Sequence, residues 1–249
     1  MKKVKAVGFD FINTLVTIQG EALHKAFDSL VESLKTSGIS VDHAVFHNEY
    51  RESASAHMAN SCKSGIETHN RFWISEALNC TDYDISPYDK RIDLAVDAYF
   101  DSFVYESNLI PGTKEMLSFL SKHFPLALLS NFTHSPAAQA IINRFNLSAF
   151  FSQIIISGEF GYRKPHSAIF LHMAKGFGFD PEEVLYIGDD PDPDIHGALA
   201  AGMQSVWFAF VDENNISRAP GYAPQGTAKV PADIKRITSW EELYPLLSL

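Results

Sequence analysis

At 249 residues with 46% hydrophobic content, the chain is long for one compact domain and short for two full ones, so a core carrying an inserted module fits the length. Thirty acidic against 20 basic side chains, a formal net charge of −10, give a surface that repels nucleic-acid phosphates and anionic membranes, which argues against both as partners. The two cysteines, Cys62 and Cys80, lack CxxC spacing, which excludes a disulfide framework or zinc knuckle and points to a reducing cytoplasm.

In chain order, residues 4–9 form a short apolar run ended by Asp10 and the polar turn Asn13-Thr14, the pattern of a buried strand that delivers side chains at its C-terminal end. Asp10 interrupts this run before a signal-peptide core is complete, and no later run reaches membrane-spanning length. Residues 17–107 change rhythm. Amphipathic helices are predicted over 21–35, 41–57, 67–78 and 87–105, with no strand between them, which reads as an inserted all-helical module. The helical spacing of Phe72, Trp73, Tyr99, Phe100 and Phe103 assigns these rings to its packing rather than to a ligand cage.

From residue 108 onward, helices alternate with apolar runs that end in polar residues. Pro111-Gly112 opens a helix over 113–122; strand 126–129 ends in Ser130-Asn131; a helix covers 136–145; strand 154–156 ends in Ser157-Gly158; a helix covers 167–177. Strand 184–187 ends in Gly188-Asp189-Asp190, a helix over 194–201 is closed by Gly202, and strand 205–211 precedes a Gly-, Pro- and Asn-containing loop over 212–230. This alternation predicts an α/β fold, a Rossmann-like doubly wound parallel sheet, with residues 1–16 and 108–249 as core and 17–107 as the inserted helical domain. In such sheets the site lies beyond the carboxyl ends of the strands, where Asp10, Ser130 and Asp189 converge.

An aspartate at a strand tip can attack electrophilic phosphorus or carbon, provided a cation neutralises the approaching anion. Asp189 can share such a cation with Asp10, and oxygen-only ligands suit Mg²⁺. Lys164 would add fixed positive charge beside the transferring group, while Ser130 and the backbone N–H groups after it would receive a phosphoryl oxygen.

Four segments, Phe9-Asp-Phe-Ile-Asn-Thr-Leu15, Leu128-Leu-Ser-Asn131, Gly161-Tyr-Arg-Lys-Pro165 and Ile187-Gly-Asp-Asp-Pro-Asp-Pro-Asp194, resemble in order the four motifs of the haloacid dehalogenase-like superfamily. Ile110-Pro-Gly-Thr113 and the Gly197-Ala…Gly202-Met203 stretch are similar to it as well, so the resemblance covers nearly the whole chain, with the helical insertion placed as in the family's first cap class. The resemblance implies Asp10 as nucleophile and metal ligand, Ser130 as phosphoryl-oxygen donor, Lys164 as the neutralising lysine, and Thr14 and Asn131 on the substrate side. It implies Mg²⁺ held by Asp10, the backbone carbonyl of Ile12, Asp189 and, directly or through water, Asp194, with Asp190 as the substitute if the loop is shifted.

One departure bears on the chemistry. Family phosphatases carry a second aspartate two positions after the nucleophile, and this chain has Ile12 there, which cannot donate a proton. Among the ten histidines, His134 and His166 follow strand-end motifs and are the candidates to replace it. Family phosphonate hydrolases add a cap lysine, but nothing singles out Lys25, Lys35, Lys63 or Lys90; Arg51 and Arg71 read as a solvated face. The expectation is hydrolysis of a small phosphorylated or phosphonylated metabolite through an aspartyl intermediate by a monomer or homodimer. The alternatives are a metal-binding pseudoenzyme and a carbon–halogen hydrolase, the latter disfavoured by the acidic Gly-Asp-Asp.

Overall fold

The computed structural model describes residues 3–18, 20–217 and 229–249, so residues 218–228 of the expected loop lie outside the described residues. The chain enters as β1 (Ala6–Phe9), turns at Asn13 with a left-handed φ of 66° and continues as β2 (Val16–Ile18); asparagine tolerates that conformation better than a branched side chain would. Four helices follow: α1 (Ala22–Thr36), α2 (His43–Ser64), α3 (Asn70–Asn79) and α4 (Lys90–Glu106). Then β3 (Ser107–Leu109) returns antiparallel to β2.

Beyond α5 (Thr113–Leu120), strands and helices alternate as β4 (Leu126–Ser130), α6 (Ser135–Arg144), β5 (Gln153–Ile156), the single turn α7 (Ser157–Phe160), α8 (Ser167–Phe177) and β6 (Val184–Gly188). A π-helical turn, Pro191–His196, runs into α9 (Gly197–Ala200), followed by β7 (Gln204–Phe208) and β8 (Lys235–Ile237). The six strands lie in the order β5-β4-β1-β6-β7-β8, all parallel, which is the predicted α/β, Rossmann-like doubly wound sheet.

Successive side chains of a strand point to opposite faces, and here both faces are covered. Val7, Phe9, Leu126, Leu128, Leu185 and Ile187 enter one apolar core, whereas Ala6, Ala127, Leu129, Val184 and Tyr186 enter a second, packed on Ile169, Phe170 and Met173 of α8. Gly8 belongs to the second face, where an added Cβ would lie 2.7 Å from the Met173 sulfur; its lack of a side chain is what lets α8 approach the central strand.

Three expectations are corrected. Strand does occur next to and within 17–107, because Val16–Ile18 pairs with Ser107–Leu109 and forms a two-stranded ribbon through which the chain leaves and re-enters the core. The last predicted strand stops at Phe208, with Phe210–Glu213 forming a helical turn. The helix expected over 194–201 begins as the π-helical turn at Pro191, and β8 was not anticipated at all. Among the described residues no helix is long and apolar enough to cross a membrane.

Candidate active site

The carboxyl ends of β1 and β6 bring Asp10 and Asp189 together, with Asp194 and Lys164 against them. Asp10 follows β1, its backbone N–H donating to the Ile187 carbonyl at 2.8 Å, so the nucleophile candidate is fastened to the neighbouring strand. Lys164, 3% exposed, donates from Nζ to Asp10 Oδ1 at 2.6 Å, to Asp194 Oδ1 at 2.6 Å and to the Tyr186 hydroxyl at 2.9 Å. Tyr186 in turn donates to the Leu129 carbonyl at 3.0 Å. Asp10, Asp189 and Asp194 are all buried, with carboxylate oxygens within 4.8 Å of one another.

Local sequence explains how these groups are held. Gly188 ends β6, and a Cβ there would sit 2.4 Å from the Asp194 carboxyl carbon; only glycine lets Asp194 fold beneath the strand tip. Asp194 Oδ2 also accepts from the Asp190 N–H at 3.0 Å. The Asp190 carboxylate instead accepts from the Asp192 N–H at 3.2 Å, capping the π-helical turn, so Asp194 rather than Asp190 joins the acidic cluster. Asn131 fixes the lysine from the other side: its amide donates to the Lys164 carbonyl at 2.9 Å and accepts from the Lys164 N–H at 2.8 Å.

Electrostatics follow from burial. Desolvation pushes the Asp10 carboxyl up to about 6; Lys164 pulls it down and Asp194 pushes it further up. For Lys164 burial opposes the charged form, but Asp10 and Asp194 outweigh it and hold the ammonium well above its ordinary value. At neutral pH the lysine is charged and Asp10 is mostly ionised.

The remaining predicted residues separate. Ser130 is buried at the end of β4. Thr14 is fully buried and its hydroxyl has no hydrogen-bond partner. Of the amides after Ser130, that of Phe132 is engaged by Ser157 Oγ at 2.8 Å and is not available to a phosphoryl oxygen. The Ile12 side chain is 4% exposed and lies in the apolar core. His166 caps α8 by accepting from the Ala168 N–H at 3.2 Å and stacks on Tyr162 at 4.3 Å. His134 bonds Asp97 at 3.1 Å and His69 at 3.4 Å and stacks on Phe100. Arg71 pairs with Asp93 at 3.4 Å, and Arg51 is exposed.

The groups that join the helical insertion to the sheet are ones that no sequence motif marks. Glu67, between α2 and α3, pairs with Arg163 at 3.2 Å, both side chains less than a tenth exposed, and also accepts from Ser157 Oγ. Backbone bonds run from the Arg163 N–H to Gly65 and from the Glu67 N–H to Gly161, both 2.9 Å, so the insertion is strapped to the loop bearing Lys164. On the other side, Thr133 donates to Asn70 at 2.6 Å. The Arg71 N–H donates to His69 Nδ1 at 3.1 Å, which leaves the proton of neutral His69 on Nε2, facing His134 Nδ1; His134 then donates from Nε2 to Asp97. Burial lowers His69 to about 4, helped by Arg71, and burial also lowers His134, against the pull of Asp97. A tyrosine in an otherwise aliphatic strand was the one available signal for Tyr186; the others are tertiary pairings of surface-type residues.

Residues 4–202 match the family model of the haloacid dehalogenase-like hydrolases. The chain is 28% identical over 211 residues to the glyceraldehyde 3-phosphate phosphatase of Pyrococcus furiosus, covering 84% of this chain and 82% of that one. Among solved structures it is similar to a 2-haloacid dehalogenase of Pseudomonas syringae pv. Tomato, with TM-score 0.70, 22% identity and 98% of each chain covered. It is also similar to a HAD-hydrolase of Bacillus subtilis solved bound to magnesium, with TM-score 0.65, 20% identity and all of both chains covered. At those identities the two structures speak for the fold alone.

Proposed function

The chain belongs to the haloacid dehalogenase-like hydrolase family, and from that premise we propose that it is a Mg²⁺-assisted phosphatase of small organic phosphates that uses Asp10 as nucleophile beneath a helical cap. The observation that carries this reading is the buried cluster in which one ammonium, Lys164, bonds two of three carboxylates. Similarity to a phosphatase over 84% of this chain and 82% of that one supports phosphorus rather than carbon as the electrophile.

The donor set fits a divalent cation. Three carboxylates gathered away from water around a single lysine carry more negative charge than a dry site tolerates, and their hard oxygens suit Mg²⁺ over softer metals. Asp10, Asp189 and the backbone carbonyl of Ile12 would hold the ion, with Asp194 supporting them. When bound, the ion supplies charge neutralisation for the phosphoryl oxygens approaching Asp10.

The protein's own groups then do the following. Lys164, fastened through its backbone by Asn131 and through its ammonium by Tyr186 and Asp194, holds Asp10 Oδ1 in place and keeps the carboxylate ionised against the upward push of burial. Ser130 ends β4, the strand beside β1, and would receive a phosphoryl oxygen. Asp10 attacks phosphorus, the ester oxygen departs with its electron pair, and water later attacks phosphorus to free the carboxylate.

Ile12 cannot protonate the departing oxygen or activate that water, so turnover depends on how well the leaving group carries negative charge. That same residue favours a second reading, a metal-binding chain whose hydrolysis is vestigial. One experiment separates them: phosphate release from p-nitrophenyl phosphate with Mg²⁺ and with chelator, for wild type and Asp10→Asn. The proposal requires Mg²⁺-dependent release that Asp10→Asn abolishes. Absence of release in wild type leaves the vestigial reading.

A further inference from the structure

Contact of Lys164 with Asp10 and Asp194 depends on the position of its loop, residues 161–166 between α7 and α8. The Asn131 side chain holds Lys164 itself, bonding both its N–H and its carbonyl. Further ties cross over from the helical insertion. Gly65, the left-handed C-cap of α2 with φ 72°, accepts from the Arg163 N–H, Ile66 bridges Tyr162, and the Glu67 N–H returns to the Gly161 carbonyl. A Cβ on Gly65 would lie 2.6 Å from the His166 ring, so glycine here lets the insertion press directly on the loop.

One carboxylate sits at the centre of this contact. Glu67 Oε1 accepts from Arg163 Nη1 at 3.2 Å and from the Thr68 N–H at 2.9 Å, and its Oε2 accepts from Ser157 Oγ. Ser157 Oγ in turn accepts from the Phe132 N–H at 2.8 Å, two residues beyond Ser130. Glu67 therefore reaches two core loops at once: through Arg163 the one that carries Lys164, and through Ser157 the one that follows Ser130.

Stability alone does not account for this arrangement. Burying the Glu67 and Arg163 charges costs desolvation energy that their attraction only partly returns, and apolar side chains of similar volume often dock two surfaces as well or better. What a carboxylate with donors on both oxygens adds is fixed geometry. Glu67, Arg163 and Asn131 also border a cavity of about 930 Å³ between the inserted helices and the sheet. On that side the loop faces open space rather than packed side chains, so its polar ties carry its position.

Resting on the phosphatase reading above, we propose that Glu67 is a positioning residue for the reaction: from the helical insertion it holds, through Arg163 and Ser157, the two loops that present Lys164 and Ser130. The core then reaches full activity only with the insertion docked on it. When the insertion lifts, the Glu67 and Gly65 contacts to Arg163 break together, and the residue beside Lys164 loses its anchor. Only the Asn131 clasp then remains of the ties named above, and the lysine ammonium is no longer fixed against Asp10.

The test compares the full-length wild type with the double variant Glu67→Gln/Arg163→Met. Removing both charges leaves neither buried alone, which spares the fold the penalty of the single change. With p-nitrophenyl phosphate and Mg²⁺, kcat should fall about 10–100-fold, the cost of a displacement near 1 Å at the reacting groups, while KM stays within about threefold. A second readout needs no chemistry: exchange of the Lys164 amide hydrogen, bonded to Asn131 at 2.8 Å, should quicken at least about tenfold while the amides of β1 and β6 keep their protection. Wild-type kcat in the double variant, or unchanged exchange at Lys164, overturns the proposal, because the pair then serves docking alone. Should the double variant not fold, Glu67→Asp, which keeps the charge and shortens its reach by one methylene, is read by the same criteria. A wild type that releases no phosphate sinks the phosphatase reading instead, and exchange at Lys164 still decides whether Glu67 holds that loop.

Discussion

Replacing Lys164 with methionine keeps a linear side chain of similar length and removes the ammonium that bonds Asp10 and Asp194, each at 2.6 Å. The two carboxylates, with oxygens no more than 4.8 Å apart, then face each other; at an effective dielectric of 20 they repel by about 3.5 kcal/mol. That agrees with the roughly 3–5 kcal/mol lost when one partner of a buried pair is deleted. Tyr186 keeps its bond to the Leu129 carbonyl, so no second orphan is created. For a chain of this size the expected fall in melting temperature at pH 8 in chelator is about 6–20 °C.

The sign of the pH dependence is fixed. Asp10 titrates above its unfolded value of 3.8 already in wild type, at about 6, and removing Lys164 raises it further. A carboxyl raised in the folded state takes up its proton there first, so the stabilisation from protonation is present at low pH and lost as pH rises through the folded value. The deficit of Lys164→Met is therefore largest at pH 8, smaller at pH 5, and reduced by Mg²⁺. Melting within 2 °C of wild type at pH 8 in chelator would refute the tight triad.

Mg²⁺ should raise the melting temperature of wild type and have a much smaller effect on Asp189→Ala, read by thermal unfolding at matched metal concentrations. Glu67→Gln leaves Arg163 buried without its ionised partner and should cost roughly 3–5 kcal/mol, with hydrogen exchange rising first in α2 and α3; unchanged protection would dissociate that pair from cap docking. Burial holds His69 and His134 below the ordinary histidine value in the folded state; the His69 contribution is full above pH 6.5 and declines as pH falls toward about 4, so His69→Gln should flatten the acid limb of stability in NMR or melting titrations. Ile12→Asp should speed alkyl phosphate hydrolysis, up to the 10²–10⁴-fold typical of acid–base catalysis, and narrow the gap to p-nitrophenyl phosphate in steady-state assays.

The central strands were legible because parallel strands buried on both faces read as unbroken apolar runs, and residues 126–130 and 184–188 are of that kind. The same runs ended in Asp10, Ser130 and Asp189, so the convergence of the site followed from topology. The ribbon Val16–Ile18 with Ser107–Leu109 was not legible, since three residues establish no period and the pairing spans the whole helical insertion. β8, Lys-Arg-Ile with two exposed cations, is an edge strand whose charges hide it from any apolar search. Asp194 looked like the start of a helix, and only Gly188 beneath it makes room for its contact with Lys164. Trp73, Tyr99 and Phe100 have the spacing of packing residues and do pack; that the same rings line a cavity depends on how four helices stack, which periodicity does not encode.

A covalent bond between Asp10 and phosphorus is the central step of the proposed reaction, and trapping it is the most direct measurement. During turnover of p-nitrophenyl phosphate with Mg²⁺, an acid quench followed by borohydride reduction converts an aspartyl phosphate to homoserine, and peptide mass spectrometry locates it. Homoserine at position 10 in wild type, and none in Asp10→Asn, is the predicted result; turnover that persists in Asp10→Asn, or an acyl phosphate trapped on another residue, would contradict it.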